Sequence, residues 1–427
     1  MSDQKIHWSA DGYYLPEIEP HTKAKHQILE DYLETYILTL CGNNRGKRKT
    51  VTFIDGFCGG GMYRDPDNYN SLWTGSPIRM IKAVEKGLDL VKHEKSKPDY
   101  ELNVKFIFVD SEQEHLDCLK LQMQNSGLEH YLADTEKCQF IHAEFENCVE
   151  RCIDEVKKRG GSSFFSLDPF GWSDVSMETI RNIISLGKSE IIYTYMVDWV
   201  IRFLSERNGK SQNAYKNVIE AEGYYEILNL YVPGNAKNKY IRDETLRLFR
   251  ERGNVPCVYS FAILPNRTFP LYYLIHLASR PPAQREIKNT LWHRNTIDLV
   301  YQFEYGIYGL GFRTPDYYEQ NLSVINLTEE NKSKCIEELD KELMPIIYDS
   351  QDGIRFDELH NRTMQTNPAT VEHYEKYIDE QRSQKEIVVM RNGKITQSKK
   401  LEPGDVIIRD KSPIQIPLFE TNKFKRG

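Results

Sequence analysis

Apolar side chains recur at Ile28, Leu29, Tyr32, Leu33, Tyr36, Ile37 and Leu40, the three-and-four spacing of one helical face. Pro20 ahead of this run and Gly42 behind it suit a helix start and stop, so the pattern predicts a helix over 22–40. A basic run, Arg45-Gly46-Lys47-Arg48-Lys49, leads into a short apolar strand over 51–54. Strands and helices then alternate. Residues 104–110, 138–142, 163–168 and 190–195 read as strands, and 112–124, 144–159 and 177–186 as the helices between them. This alternation predicts a parallel sheet built from βαβ units. Strands such as Phe106-Ile107-Phe108-Val109 are apolar throughout, as strands covered on both faces are.

Residues 198–253 are more polar and helical by pattern, an insertion after the fifth strand. Two β-rich runs follow, 255–264 and 269–278, joined by Pro265-Asn266-Arg267-Thr268, and read as an antiparallel hairpin. Five parallel strands ending in such a hairpin are what a Rossmann-like class I methyltransferase sheet requires. Helical patterns return at 284–301 and 331–348. A small unit closes the chain: a helix over 356–364, Asn367-Pro368 as N-cap and first turn of a helix to about 383, a hairpin turning at Asn392-Gly393, and a strand over 406–408. That is the outline of a winged helix. The expected organisation is an N-terminal helical segment over 1–50, a methyltransferase-like domain over 51–330 and a winged-helix-like domain over 331–427.

Composition narrows the function classes. The 427 residues are 40% hydrophobic and 28% charged, ordinary for a globular protein. The longest apolar stretch, 191–204, is broken by Asp198 and Arg202, so no membrane span is expected, and the first residues lack the apolar core of a secretory signal. Eight scattered cysteines fit reduced thiols in a cytoplasmic protein. The net charge of −7 excludes a uniformly basic nucleic-acid coat. The last 47 residues, from Gln381, nevertheless carry 11 Lys/Arg against 5 Asp/Glu, either a local phosphate-holding patch or a solvated tail.

The chemistry concentrates at strand ends. Ile54-Asp55-Gly56-Phe57-Cys58-Gly59-Gly60-Gly61 closes the first strand, where glycines let backbone approach a ligand. A nicotinamide dinucleotide site wants a third glycine where Arg64 stands. The form Asp-x-Phe-x-Gly-x-Gly instead matches the methionine-side loop of S-adenosylmethionine (SAM) methyltransferases, with Asp55, Phe57, Gly59 and Gly61 as cofactor residues. Asp110 ends the second strand, where a carboxylate accepts ribose hydroxyls; it also suits a helix N-terminus. Glu144, after the third strand, lies where adenine sits in SAM enzymes, and equally reads as a first-turn helix acid. The segment 62–74, with Tyr63, Tyr69 and Trp73, reads as a lid or an idle loop, and Gly75-Ser76-Pro77 as a helix start with Ser76 as N-cap. At the end of the fourth strand, Asp168-Pro169-Phe170-Gly171 resembles the element with which amino-methyltransferases bind an exocyclic amine. A carboxylate and a carbonyl accepting the amine's N–H bonds restore electron density to nitrogen, proline removes a competing donor, and an aromatic ring stacks on the extruded base. Cys148 and Cys152, one helical turn apart, read as buried apolar side chains rather than metal ligands; no metal is expected. Cys257, after Pro256, starts a strand and reads as buried rather than nucleophilic.

Taken together, Pro20-His21-Thr22-Lys23-Ala24-Lys25-His26, residues 53–61, Gly75-Ser76-Pro77, residues 167–171 and the C-terminal unit resemble the three-Cys-motif partner proteins of bacteria over nearly the whole chain. Cys58 stands where that family's pattern suggests a small residue such as alanine. The resemblance implies a class I methyltransferase-like domain and a functional partner, a radical-SAM-like protein with a three-cysteine motif. The expected activity is SAM-dependent methyl transfer to an amino nitrogen, most readily of a nucleobase in DNA or RNA. The alternative is a SAM-binding or empty scaffold for that partner.

Overall fold

Continuous burial of Val51 to Asp55, with no solvent-facing position among them, marks a strand enclosed on both sides. A computed structural model describes residues 6–68, 71–169, 174–196, 217–226, 234–264, 272–297, 302–306, 309–313 and 327–410. Strand β1 (Arg48–Asp55) lies within a nine-stranded sheet among the described residues. The other strands of the sheet are β4 (Glu101–Asp110), β5 (Cys138–His142), β6 (Ser162–Leu167), β7 (Ser189–Met196), β8 (Cys257–Ile263), β9 (Tyr272–Ala278), β10 (Gln302–Gly306) and β11 (Gly309–Arg313). The order is β10-β11-β8-β9-β7-β6-β1-β4-β5. The run β5-β4-β1-β6-β7 is parallel, and β9 inserts antiparallel between β7 and β8. This is the class I methyltransferase arrangement, a Rossmann-like sheet. Strand order reverses between β1 and β6, and a crevice at the carboxyl ends of strands is where such sheets bind ligands.

Side chains alternate across the sheet. Phe53, Phe106 and Phe164 form one face with Tyr36 of helix α1 (Pro20–Gly42), the Phe53 and Phe106 rings stacked at 5.5 Å. Helix α1 packs there against α2 (Ser76–Glu94). On the opposite face Ile54, Ile107 and Phe165 join the apolar sides of α5 (Phe145–Arg159) and α6 (Met177–Ser185). Helices α3 (Gln113–Asn125) and α4 (Glu129–Leu132) lie between β4 and β5. Helix α7 (Gly234–Glu251) belongs to the expected insertion, most of which lies outside the described residues. Helix α8 (Pro281–Ile297) follows β9. Cys148 and Cys152 are core side chains, and Cys257 is buried at the start of β8, its thiol pushed up to about 11 by burial. No described helix is long and apolar enough to cross a membrane.

Some expectations need correcting. Residues 62–74 are not a plain loop: β2 (Met62–Asp65) and β3 (Ser71–Thr74) form an antiparallel hairpin pairing Tyr63 with Trp73; Tyr69 lies outside the described residues. Helix α2 has Gly75, not Ser76, as N-cap, because the Ser76 hydroxyl is spent on Asp55. Strands β10 and β11 were not foreseen; one glycine in β10, two in β11 and a charge in each short run hide the alternation.

The chain divides into two units, Met1–Lys334 and Cys335–Gly427. In the second, Leu339, Leu343 and Ile347 are buried on α9 (Leu327–Asp349), which spans the division. After it come β12 (Ile354–Arg355), α10 (Phe356–Thr363), α11 (Val371–Ser383), β13 (Ile387–Arg391), β14 (Lys394–Ile395) and β15 (Val406–Arg409), with sheet order β12-β15-β13-β14. Helix α11 starts at Val371 with Thr370 as N-cap, not at Pro368. The Asn367 side chain instead accepts the Ala369 amide at 3.0 Å and donates to Thr363 O and the Tyr374 hydroxyl, which fixes a turn there.

Candidate active site

The glycine-rich loop leaves β1 at Asp55, which is 1% exposed. Its carboxylate accepts the Ser76 hydroxyl at 2.7 Å and the Phe57 amide at 3.3 Å. Burial outweighs both bonds, the nearby Asp168 and Asp110 charges add to it, and the carboxyl is pushed up to about 7. The loop is stitched to neighbouring strands by Gly56 N to Ser166 O (2.9 Å) and Cys58 N to Val109 O (3.0 Å). Gly59 and Gly61 adopt φ of +58° and +75°, the left-handed region that glycine enters freely. Phe57 is half-buried, its ring 5.8 Å from Phe145.

Asp110, at the end of β4, is bonded into this loop. One oxygen accepts the Gly59 amide at 2.9 Å, and the other meets the Glu112 amide and His115 Nδ1, each at 2.9 Å. A carboxylate has about four acceptor positions, so room for one further donor remains. Glu144 stands apart: it is exposed, it is the N-cap of α5, and its carboxylate takes the Asn147 side chain at 3.0 Å.

Asp168 follows β6, the strand paired with β1. Phe170, Gly171 and Trp172 lie outside the described residues. The Asp168 carboxylate receives the Lys25 ammonium at 2.7 Å and the Thr194 hydroxyl. Burial pushes this carboxyl up, but the Lys25 charge and hydrogen bond, with Thr194 and His26, outweigh it and hold the group below its ordinary value.

Sequence reasoning missed the groups that α1 and the N-terminal segment bring. Helix α1 carries Lys25 to Asp168, Lys23 to Asp65 and Asp67, and His26 to the Trp73 indole, whose Nε1 donates to His26 Nδ1 at 3.2 Å. Burial, then the Arg79 and Lys25 charges, hold His26 down at about 3, so it is neutral and free to accept. Ahead of α1, Ile18 N bonds Arg64 O and Arg64 N bonds Pro16 O, both at 2.9 Å, tying this segment to β2. Trp8, 2% exposed, lies on the glycine loop and donates from Nε1 to Met62 O at 2.6 Å. A Cβ on Gly60 would stand 2.3 Å from its ring. Tyr63 lies edge-on to Trp8 at 5.2 Å, and its hydroxyl is pushed up by burial and by Asp168, Asp55 and Asp110. The available signal was the dense polar run Pro20 to His26, whose spacing sets His21 and Lys25 one turn apart.

Three buried or half-buried carboxylates therefore converge at the ends of three adjacent strands, with Lys25 as the one lysine or arginine bonded to any of them among the described residues. No family model matches the chain, nor does any curated protein. Solved structures do. Cofactor-bound Rv0187 from MTB aligns at 12% identity over 62% of this chain and 92% of its own, with a TM-score of 0.27. The METTL16 MTase domain aligns at 9% identity over 58% and 66%, with a TM-score of 0.25. A putative Zn-dependent alcohol dehydrogenase from Rhodobacter sphaeroides aligns at 13% identity over 59% and 98%, with a TM-score of 0.22. At such TM-scores these likenesses do not reach function, and the fold rests on strand order and register.

Proposed function

We propose that this chain is a SAM-dependent methyltransferase that acts on an amino nitrogen, with a nucleobase of DNA or RNA as acceptor. The observation that carries the reading is the convergence of Asp55, the Gly59–Asp110 bond and Asp168 at the carboxyl ends of β1, β4 and β6, on the strand order of a class I methyltransferase. The donor set suits the cofactor: an acidic recess favours a cation, and Asp110 keeps acceptor capacity for a ribose hydroxyl. Asp55, Phe57, Gly59 and Gly61 would hold the methionine side and Asp110 the ribose, with Glu144 near the adenine. SAM supplies, when bound, an electrophilic methyl group on a sulfonium. The chain's own part is positioning and exclusion of water. Asp168 and the Pro169 carbonyl accept the N–H bonds of the amine, with Phe170 and Gly171 completing the turn.

Calorimetric titration with SAM, of wild type beside Asp110→Ala, tests the cofactor assignment; binding by both alike would remove Asp110 from it. Asp168→Ala should keep SAM affinity and lose methyl transfer to a DNA and RNA oligonucleotide pool. Undiminished transfer would remove Asp168 from the site.

One observation favours the second reading, a scaffold. Trp8 of the chain itself lies against Gly59 and Gly60, covering part of the loop that a cofactor would approach. In that reading the chain docks a radical-SAM-like three-Cys-motif protein, as its family resemblance suggests. Co-purification with that protein, without transfer to any nucleic acid, would favour it. The C-terminal unit, by its element order, we read as winged-helix-like. Helix α11 carries four acidic residues against Lys376 and Arg382, which disfavours reading of a DNA major groove by that helix.

A further inference from the structure

We propose that Lys25 and Asp168 form a paired donor and acceptor that selects a flat heteroaromatic amine, a base whose amino group adjoins a ring nitrogen, over an aliphatic or guanidinium amine. The inference rests on the transferase reading and names the substrate edge which that site recognises.

The Lys25 ammonium lies 2.7 Å from Asp168 Oδ2, and the lysine side chain is 13% exposed where the aspartate is 43% exposed. A protonated lysine has three N–H donors. Among the described residues Asp168 is its one hydrogen-bond partner, so those residues leave two of its donors unspent, and buried donors seek acceptors. Among the described residues Asp168 takes Lys25 and Thr194, which leaves about two of its four acceptor positions to groups outside them. The open side of the pair thus offers an acceptor and a donor next to each other.

A lysine or arginine substrate brings donors alone. It would satisfy Asp168 but set a second cation against Lys25, and like charges at such range repel. Adenine and cytosine present an amine beside a ring nitrogen, a donor beside an acceptor, and so match both members. A primary amide also has both, but the walls favour a ring. Tyr63 is half-buried, edge-on to Trp8 at 5.2 Å and tilted to His26 at 5.7 Å, and close enough to Asp168 for the charge to raise its hydroxyl. Aromatic rings near the pair favour a base, which stacks, over an amide side chain, which gains little from them.

The test uses the full chain as wild type, Lys25→Met and Lys25→Arg, each checked for folding by circular dichroism. Adenosine, cytidine and guanosine are titrated calorimetrically, beside analogues with carbon in place of the ring nitrogen next to the amine: 1-deaza- and 7-deazaadenosine, 3-deazacytidine and 3-deazaguanosine. A glutamine tripeptide is a further probe. All are run with and without saturating S-adenosylhomocysteine. Wild type and Lys25→Arg should bind at least one nucleoside about tenfold or more tightly than its deaza analogue. In Lys25→Met that ratio should fall to within about twofold, with SAM affinity retained. The proposal is overturned by an unchanged ratio in Lys25→Met, by equal binding of nucleoside and analogue in wild type, by preference for the glutamine peptide, or by no nucleoside binding. Should Lys25→Met fail to fold, the wild-type ratio still decides. Failure of the transferase reading shows separately, as absence of SAM binding by wild type, and leaves the nucleoside ratio readable.

Discussion

Replacing Gly60 by alanine isolates the tightest contact of the site. The added Cβ would lie 2.3 Å from Trp8 Cγ and 2.4 Å from Cδ1, against the 3.0 Å below which such contacts are essentially never seen. Gly60 does not have a left-handed φ, so alanine suits its backbone and the cost is steric. Either the loop or the indole must move. Overpacking costs about 1–3 kcal/mol. Displacing Trp8 adds the loss of its bond to Met62 O, about 1 kcal/mol, and of edge contacts to Tyr63 and His115, about 0.5–1.5 kcal/mol each. These terms overlap, and we expect Gly60→Ala to destabilise by about 2–4 kcal/mol. Trp8→Ala should cost about 3–5 kcal/mol. In the Trp8→Ala background Gly60→Ala should be neutral, or stabilising by about 0.4–1 kcal/mol through the unfolded chain. Urea denaturation of the four proteins closes the double-mutant cycle. An equal cost of Gly60→Ala with and without Trp8 would refute the reasoning and return this glycine to the ligand.

Asp55→Asn should alter the pH dependence of stability. A carboxyl raised from 3.8 to about 7 favours its neutral form in the fold. Its contribution is full below about pH 4 and is lost as pH climbs through 7, at most about 4 kcal/mol. Asparagine stays neutral, so the variant should gain on wild type between pH 4 and 8; parallel stability curves would contradict this. Lys23 is buried with Asp65, whereas Asp67 is 68% exposed. Asp65→Asn should therefore cost about 3 kcal/mol and Asp67→Asn about 1 kcal/mol or less, by thermal or urea unfolding; a reversed order would count against the assignment. All eight cysteines are buried. Ellman's reagent should find no fast thiol in the native protein and eight after unfolding, and a rapid native signal would place one at the surface.

Much of this was legible along the chain. Strands β1, β4, β5, β6 and β7 announce themselves as apolar runs bounded by helical periods, because a strand covered on both faces has no polar position to spend. Asp55, Asp110 and Asp168 are legible for a related reason: each is a charge at the end of such a run, where open α/β sheets present their ligand side. Phe170 and Gly171, read from the same motif, fall outside the described residues. The hairpin β2–β3 was harder, since four-residue strands carry too few positions for a period.

What the sequence alone determined is therefore the layered α/β architecture and the strand-end carboxylates, both set by local pattern. Tertiary structure decided what those carboxylates meet. Lys25 and Asp168 are 143 residues apart and Trp8 is more than 50 residues from the glycine loop it covers. No period or motif records which helix is laid across the sheet edge. That choice follows from burying the Tyr32, Leu33, Tyr36 and Ile37 face of α1 against the sheet. Once that face is buried, the helix geometry places Lys25 within reach of Asp168 and makes an ion pair the means of satisfying both charges.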